Sequence, residues 1–514
     1  MTDIVFMFEV HQPYRLRDDI VFHLIKNSFK SSSNSRLLYT ALFDENLNRN
    51  IFNRVALNCY IPATKILIDV NKDLKGYGKY FKFSLSMSGV FIEQALKWNR
   101  MVVELISEAV SNGIVELVEQ TYYHSLASLF PEYDEFIEQI AMHRGLLRDI
   151  FGIEPIVVEN TEFIYNNNIA HLLNKLGYRV ILTEGVDCVL GWRSPNYVYK
   201  AWGSDIRVLL RNYRLSDDIG FRFSDKKWDQ YPLTAEKYAQ WLSQTSGDVI
   251  LVAIDYETFG EHHSINTGIH EFLRWLPLEI AKYNIATEFP STAAFKYPIR
   301  DVYNVPPWNT ISWADERDLS AWLGNEIQKT IFEFYTFLEP YAKAVGNDHL
   351  RVWRMLGSSD HLYYLSMKGG AAGEVHTYFS PYKNLFTALR VYTEALTALA
   401  SAISSKIAEN PYKYAYNIVL PSLYSFQFYL TPGRPLSLKA RSLPELITLL
   451  EKVPVESIIY HLRRGDLANW IRTFFMLDEI ATRLEELSQN VNSIKDYEKL
   501  REMVISILRG SKVS

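Results

Sequence analysis

The sequence predicts an α/β protein: a closed or nearly closed barrel of parallel strands wrapped by helices, then a helical region, then a small, mainly helical C-terminal module. Three observations predict it. Residues 249–254 (VILVAI) form an unbroken apolar run, as a strand does when both its faces are buried. Strand-like runs alternate with helical periodicity through the first 290 residues, giving seven candidate strands over about 250 residues, the size of one barrel. Beyond that point strand-like runs give way to helical periodicity.

Taken in order, the first strand covers residues 4–10 and delivers His11-Gln12-Pro13; Pro13 ends it because it has no N–H for the ladder. A helix is expected over 63–70 and a strand over 80–86, and Gly89 opens a long amphipathic helix ending near Gly113. The third strand, 114–118, is interrupted by Glu116, which either faces the barrel interior in a polar network or pairs with a cation. Gln120-Thr121-Tyr122-Tyr123-His124-Ser125 comes next, dense in hydrogen-bonding side chains, and a helix runs from Pro131 until Gly152 stops it. The fourth strand, 156–159, ends in Glu159-Asn160-Thr161-Glu162, with a helix over 166–176; strands at 179–183 and 207–211 precede the seventh at 249–254. That strand turns into Asp255-Tyr256-Glu257, and a helix covers 269–283.

The expected division is a barrel over 1–290, a helical domain over 291–410 and an accessory module over 411–514. Pro306-Pro307-Trp308 and Ile311-Ser312-Trp313 read as an aromatic loop, where the tryptophans either stack on sugar rings or pack the helical region onto the barrel. Helical periodicity covers 326–344, 351–367 and 386–407, with Gly369-Gly370-Ala371-Ala372-Gly373 as a mobile loop. In the last module 424–430 is extended, and 442–452, 455–462, 467–475 and 477–489 are helical.

A net charge of −5, with both signs spread along the chain, argues against a nucleic-acid partner. Two cysteines, Cys59 and Cys188, make no disulfide framework and suit a reducing compartment. The N-terminus runs straight into a strand, and no apolar run reaches the ~18 residues of a membrane helix, so a cytoplasmic protein is expected. No Gly-rich nucleotide loop, GxSxG or HExxH occurs. His11, His262 and His263 with Asp255 raise a metal reading, but adjacent histidines on a regular strand do not easily share one ion.

The chemistry concentrates in Glu162, after the fourth strand, and Asp255, after the seventh, on the face where barrels carry their reactive groups. Glycosidic cleavage needs two carboxyl groups flanking one bond. At about 5 Å separation and an effective dielectric near 20, their repulsion is about 3 kcal/mol, or about two pKa units, enough to keep one protonated near neutral pH.

Five stretches together resemble glycoside hydrolase family 57: His11-Gln12-Pro13; Gly113-Ile114-Val115-Glu116-Leu117; Asn160-Thr161-Glu162-Phe163-Ile164-Tyr165; Ala253-Ile254-Asp255-Tyr256-Glu257-Thr258-Phe259-Gly260-Glu261-His262; and Ser359-Asp360-His361-Leu362-Tyr363-Tyr364. Arg211-Asn212-Tyr213-Arg214-Leu215-Ser216-Asp217-Asp218 resembles the α-amylase branch. The resemblance implies an incomplete TIM-like (β/α)7 barrel followed by a helical bundle that completes the cleft. It implies a retaining enzyme on α-1,4-glucans that needs no metal or cofactor. Glu162 matches the nucleophile and Asp255 the general acid/base; His11, Glu116, Glu257, Asp360 and His361 match positions around the cleaved sugar. A 4-α-glucanotransferase or branching enzyme would use the same intermediate. A non-catalytic glucan-binding protein is the reading from another class. The oligomeric state stays open, and the resemblance does not reach the C-terminal module.

Overall fold

A computed structural model describes residues 2–28, 35–368, 380–382, 384–491, 494 and 496–510. The expected loop at Gly369–373 lies outside the described residues. Strands β1 (Asp3–Val10), β2 (Phe83–Met87), β3 (Val115–Val118), β4 (Val157–Glu159), β5 (Val180–Glu184), β6 (Tyr199–Ala201), β7 (Arg207–Arg211), β8 (Val249–Asp255), β9 (Ala286–Thr287) and β10 (Asp301–Tyr303) share one sheet.

All seven expected strands are there, as β1–β5, β7 and β8, all parallel to their ring neighbours. The ring is uneven. β1 pairs with β8 along its length, from Asp3↔Val249 to Glu9↔Asp255. β7 meets β8 at the single pair Arg211↔Leu251. β3 meets β4 only through the bridge Glu119↔Val158. This is an incomplete barrel, as the resemblance implies. β6 and β10, three residues each, extend the sheet beyond β7 and had no clear signal in the sequence.

The alternation of strand side chains sorts the core. On β1 and β8, Ile4, Phe6, Phe8, Ile250, Val252 and Ile254 face outward into one cluster with the covering helices. Val5, Met7, Val249, Leu251 and Ala253 face inward, with Val118, Val157, Leu182 and Leu209 of the other strands. Ala293 and Ala294 join this interior from helix Pro290–Lys296, which closes the N-terminal mouth. That helix is tied down at Lys296, whose ammonium lies 2.6 Å from Asp3 Oδ2.

The long helix expected after Gly89 is two, Gly89–Trp98 and Arg100–Ser111, because Asn99 leaves helical geometry at φ −153°. After β10 come the helices that roof the barrel, among them Ser359–Tyr363 and the long Leu385–Glu409. The C-terminal module carries an antiparallel hairpin, β11 (Phe426–Thr431) and β12 (Arg434–Ala440), and, among the described residues, five helices from Leu443 to Leu508. Among the described residues no helix is long and apolar enough to cross a membrane.

Candidate active site

The inward-facing positions that end the strands are polar. One step above Met7, Ala253, Val157, Leu182 and Leu209, the same parity brings in Glu9, Asp255, Glu159, Glu184 and Arg211. A sheet interior that is apolar below and ionisable at its C-terminal rim needs partners or a ligand there. Above this rim lies a cavity of about 700 Å³, lined by Glu9, His11, His124, Glu162, Arg211, Asp255, Glu257, Trp313 and Asp360 among others. That volume suits a few sugar rings.

Glu162 is held from three directions. Its Oε1 accepts from the Ser359 hydroxyl at 2.8 Å and its Oε2 from the Trp313 indole N–H at 2.7 Å. His124 Nε2 lies 3.5 Å from Oε1. Glu162 and Phe163 both sit in the left-handed region, at φ 61° and 53°, so backbone strain is stored where the carboxylate is presented. Asp255 has a different environment. Burial, and then the charge of Glu162, push its carboxyl up to about 7.

Two further carboxyls lie beneath. Burial, with Glu159 and Glu162 nearby, raises Glu9 well above the carboxylate range, and burial raises Glu159 to about 8. A relay leads upward from Glu159: its Oε1 accepts from Ser86 at 2.7 Å, Ser86 accepts from Gln120 at 2.9 Å, and Gln120 Oε1 lies 2.9 Å from His124 Nδ1. Burial opposes a charge on His124, but the Glu162 carboxylate overrides it and raises the imidazole above its ordinary value. His124 stacks on His11 at 4.1 Å between ring centres. His11 bridges Ser88 at 2.7 Å and Asp360 at 3.0 Å; burial and the His124 charge bring it down to about 4.

The wall on the other side is a four-charge network. Arg211 lies 2.9 Å from Glu184 and 2.6 Å from Asp217; Arg317 lies 3.2 Å from Glu184 and 3.7 Å from Asp217. Both arginines fix Trp313: the Arg211 guanidinium sits 5.7 Å from its ring centre, and Arg317 donates to its carbonyl at 2.5 Å.

Of the residues expected to cleave or hold the sugar, His11, Glu162, Asp255, Glu257, Trp313 and Asp360 line this one cavity. Three do not. Glu116 faces the interior but lies lower, in register with Ser84 and Met7, and its Oε2 accepts from the Ser291 backbone N–H at 3.0 Å, at the start of the helix that closes the N-terminal mouth. Trp308 stands 87% exposed on a short turn. His361 is buried against Tyr392, ring centres 5.1 Å apart, because the residue after Asp360 on a helix points about 100° away. Glu9, His124, Glu159 and Arg317 did not stand out in the sequence as site residues. The one signal available was strand parity, which counts back from Asp255 to Glu9 through their pairing.

His263 is used up by Ser224 and the carbonyls of Ile219 and Gly220, and among the described residues no group of three or more His, Cys, Asp or Glu side chains is set to hold a metal ion.

Among known proteins, the model of glycosyl hydrolase family 57 matches residues 5–306. A "Putative alpha-amylase" from Methanocaldococcus jannaschii is 44% identical over 420 residues, covering 80% of this chain and 86% of that one. A GH57 branching enzyme from Thermococcus kodakaraensis shares the fold with a TM-score of 0.55 at 14% identity, covering 79% of this chain and 91% of that one. A GH57-type branching enzyme from Pyrococcus horikoshii does so with a TM-score of 0.53 at 14% identity, covering 81% and 90%. The last two show the fold alone.

Proposed function

The chain belongs to glycosyl hydrolase family 57, and on that premise we propose that it is a retaining enzyme cleaving α-1,4-glucosidic bonds in starch, glycogen or maltooligosaccharides. Asp255, protonated, gives its proton to the leaving glycosidic oxygen while Glu162 attacks the anomeric carbon, forming a covalent glycosyl-enzyme. Asp255, now ionised, takes a proton from water as the water attacks, which releases the sugar and restores both carboxyls.

The observation that carries this reading is the contrast between the two carboxyls on one cavity. Glu162 accepts two hydrogen bonds that fix and aim its carboxyl, while Asp255 is raised to about 7 by burial and by Glu162. His11 and Asp360 fit a role in holding the sugar between these groups, and Trp313 offers its ring to the same space. The reading includes a cytoplasmic location, supported by two unpaired cysteines.

Transfer to a sugar acceptor is the second reading, supported by the branching enzymes that share the fold. Products from maltoheptaose decide between them. Short sugars alone, with the α-anomer released first in a proton NMR time course, support retaining hydrolysis; longer or branched products support transfer. Reducing-sugar release that is equal in wild type and Glu162→Gln, or a β-anomer released first, removes the reading.

A further inference from the structure

We infer that Tyr60, presented by a one-turn π-helix, is a positioning residue that orients the Glu257 carboxyl in the cavity. This rests on the glucan-cleaving reading for its kinetic consequences but not for its geometry. Residues Ala56–Tyr60 form the π-turn, closed by the Ile61 N–H donating to the Ala56 carbonyl five residues back. Such turns insert one residue into a helix and rotate the helical residues beyond it, and they concentrate at functional sites.

This one is docked against the loop after β8 at three points. The Cys59 thiol donates to the Tyr256 carbonyl at 3.0 Å. Gly260, at φ 135°, packs so closely that a Cβ there would come within 2.0 Å of the Asn58 carbonyl oxygen, so only glycine fits. The Tyr60 hydroxyl donates to Glu257 Oε1 at 2.5 Å. Tyr60 is itself pinned: it accepts from the Gln12 amide at 3.0 Å and packs edge-on against Phe91, ring centres 5.0 Å apart. Gln12 in turn belongs to the loop that delivers His11 to the cavity. The π-turn therefore couples the strand end that carries Asp255 to the one that carries His11.

The titratable groups facing Glu257 are Asp255 on its own strand end, Tyr60 and Cys59 on the π-turn, and Tyr256 beside it; the Gln12 side chain also bonds to it. Burial and then the Asp255 charge raise Glu257 to about 8, and the Tyr60 hydrogen bond opposes that rise. Removing the hydroxyl removes a donor that favours the carboxylate, so Glu257 titrates at higher pH without it.

The test is Tyr60→Phe, which keeps the ring. Its kcat/KM on maltoheptaose is expected to fall about tenfold, the scale of one hydrogen bond. In a Glu257→Ala background, which leaves the hydroxyl no acceptor there, the same substitution is expected to cost nothing further; an equal loss there overturns the inference, because Tyr60 would not be acting through Glu257. A second readout needs no turnover: titration of the Glu257 carboxyl by ¹³C NMR moves to higher pH in Tyr60→Phe if the inference holds. An unmoved titration overturns it whether or not the wild-type protein cleaves glucans, so this failure is distinct from failure of the glucan reading.

Discussion

Trp313 donates its indole N–H to Glu162 across 151 residues of chain, at 2.7 Å. The carboxylate comes from the barrel and the donor from the loop that follows it. The loop is clamped by Arg211 and Arg317, so the proposed nucleophile is aimed by parts of the chain that meet only in the folded protein.

Substituting Trp313→Phe removes that donor and keeps an aromatic ring in the cavity. A hydrogen bond to a charged group contributes about 1.5–3 kcal/mol, so kcat on maltoheptaose should fall by roughly 10–100-fold. A kcat within a factor of two of wild type would mean that the indole N–H does not orient the nucleophile.

Asp255 sets a pH signature. It must be protonated to donate, and its carboxyl is raised to about 7 from an ordinary 3.8 by burial and by Glu162. The acid form is lost above that value, so kcat/KM should decline about tenfold per unit in the alkaline range. The same shift gives the sign of the stability effect. The folded state holds this proton more tightly than the unfolded chain, so the contribution is present below about 4, the unfolded value, and lost as pH rises through about 7. Asp255→Asn should therefore raise the melting temperature relative to wild type more at pH 8 than at pH 4. The opposite ordering would contradict the raised carboxyl.

Glu116 is predicted to matter for stability and not for chemistry. Glu116→Ala leaves the Ser291 N–H at the helix start without its acceptor, a loss of about 1 kcal/mol, the scale of a helix cap. Urea denaturation should show that loss with kcat and KM unchanged; a large fall in kcat would return Glu116 to the cleft.

The seam between β3 and β4 gives the largest stability effect. Buried Glu119 pairs with buried His143, whose Nε2 lies 2.6 Å from the Met87 carbonyl, where the ring of strands has only one bridge. His143→Ala takes away the nearest partner of Glu119, leaving it Arg144 at 3.9 Å, and should cost about 3 kcal/mol by urea denaturation. A loss below about 1 kcal/mol would show that the seam does not depend on this pair.

The barrel was legible because strands buried on both faces read as apolar runs, and Val249–Asp255 is the plainest of them. Glu162 and Asp255 were legible because carboxylates are costly at the ends of such strands. Depth was not. Parity tells which face a side chain takes, but not its height in the barrel, which depends on the register between strands. Glu116 shares the inward face of Val118 and lies below the cavity for that reason. Trp308 and Trp313 stand five residues apart in a loop with no period to separate them, and contacts made in the folded protein, above all the hydrogen bond to Glu162, distinguish the second. The π-turn at Ala56–Tyr60 left no mark, since nothing in its composition departs from a helix.

The most direct measurement is to trap the glycosyl-enzyme. Asp255→Asn protein is incubated with an activated 5-fluoro α-glucosyl fluoride, digested, and its peptides mapped by mass spectrometry. The proposed mechanism predicts one sugar adduct, on Glu162. An adduct on Glu9, Glu159 or Glu257, or release of inverted product with no adduct, would contradict it.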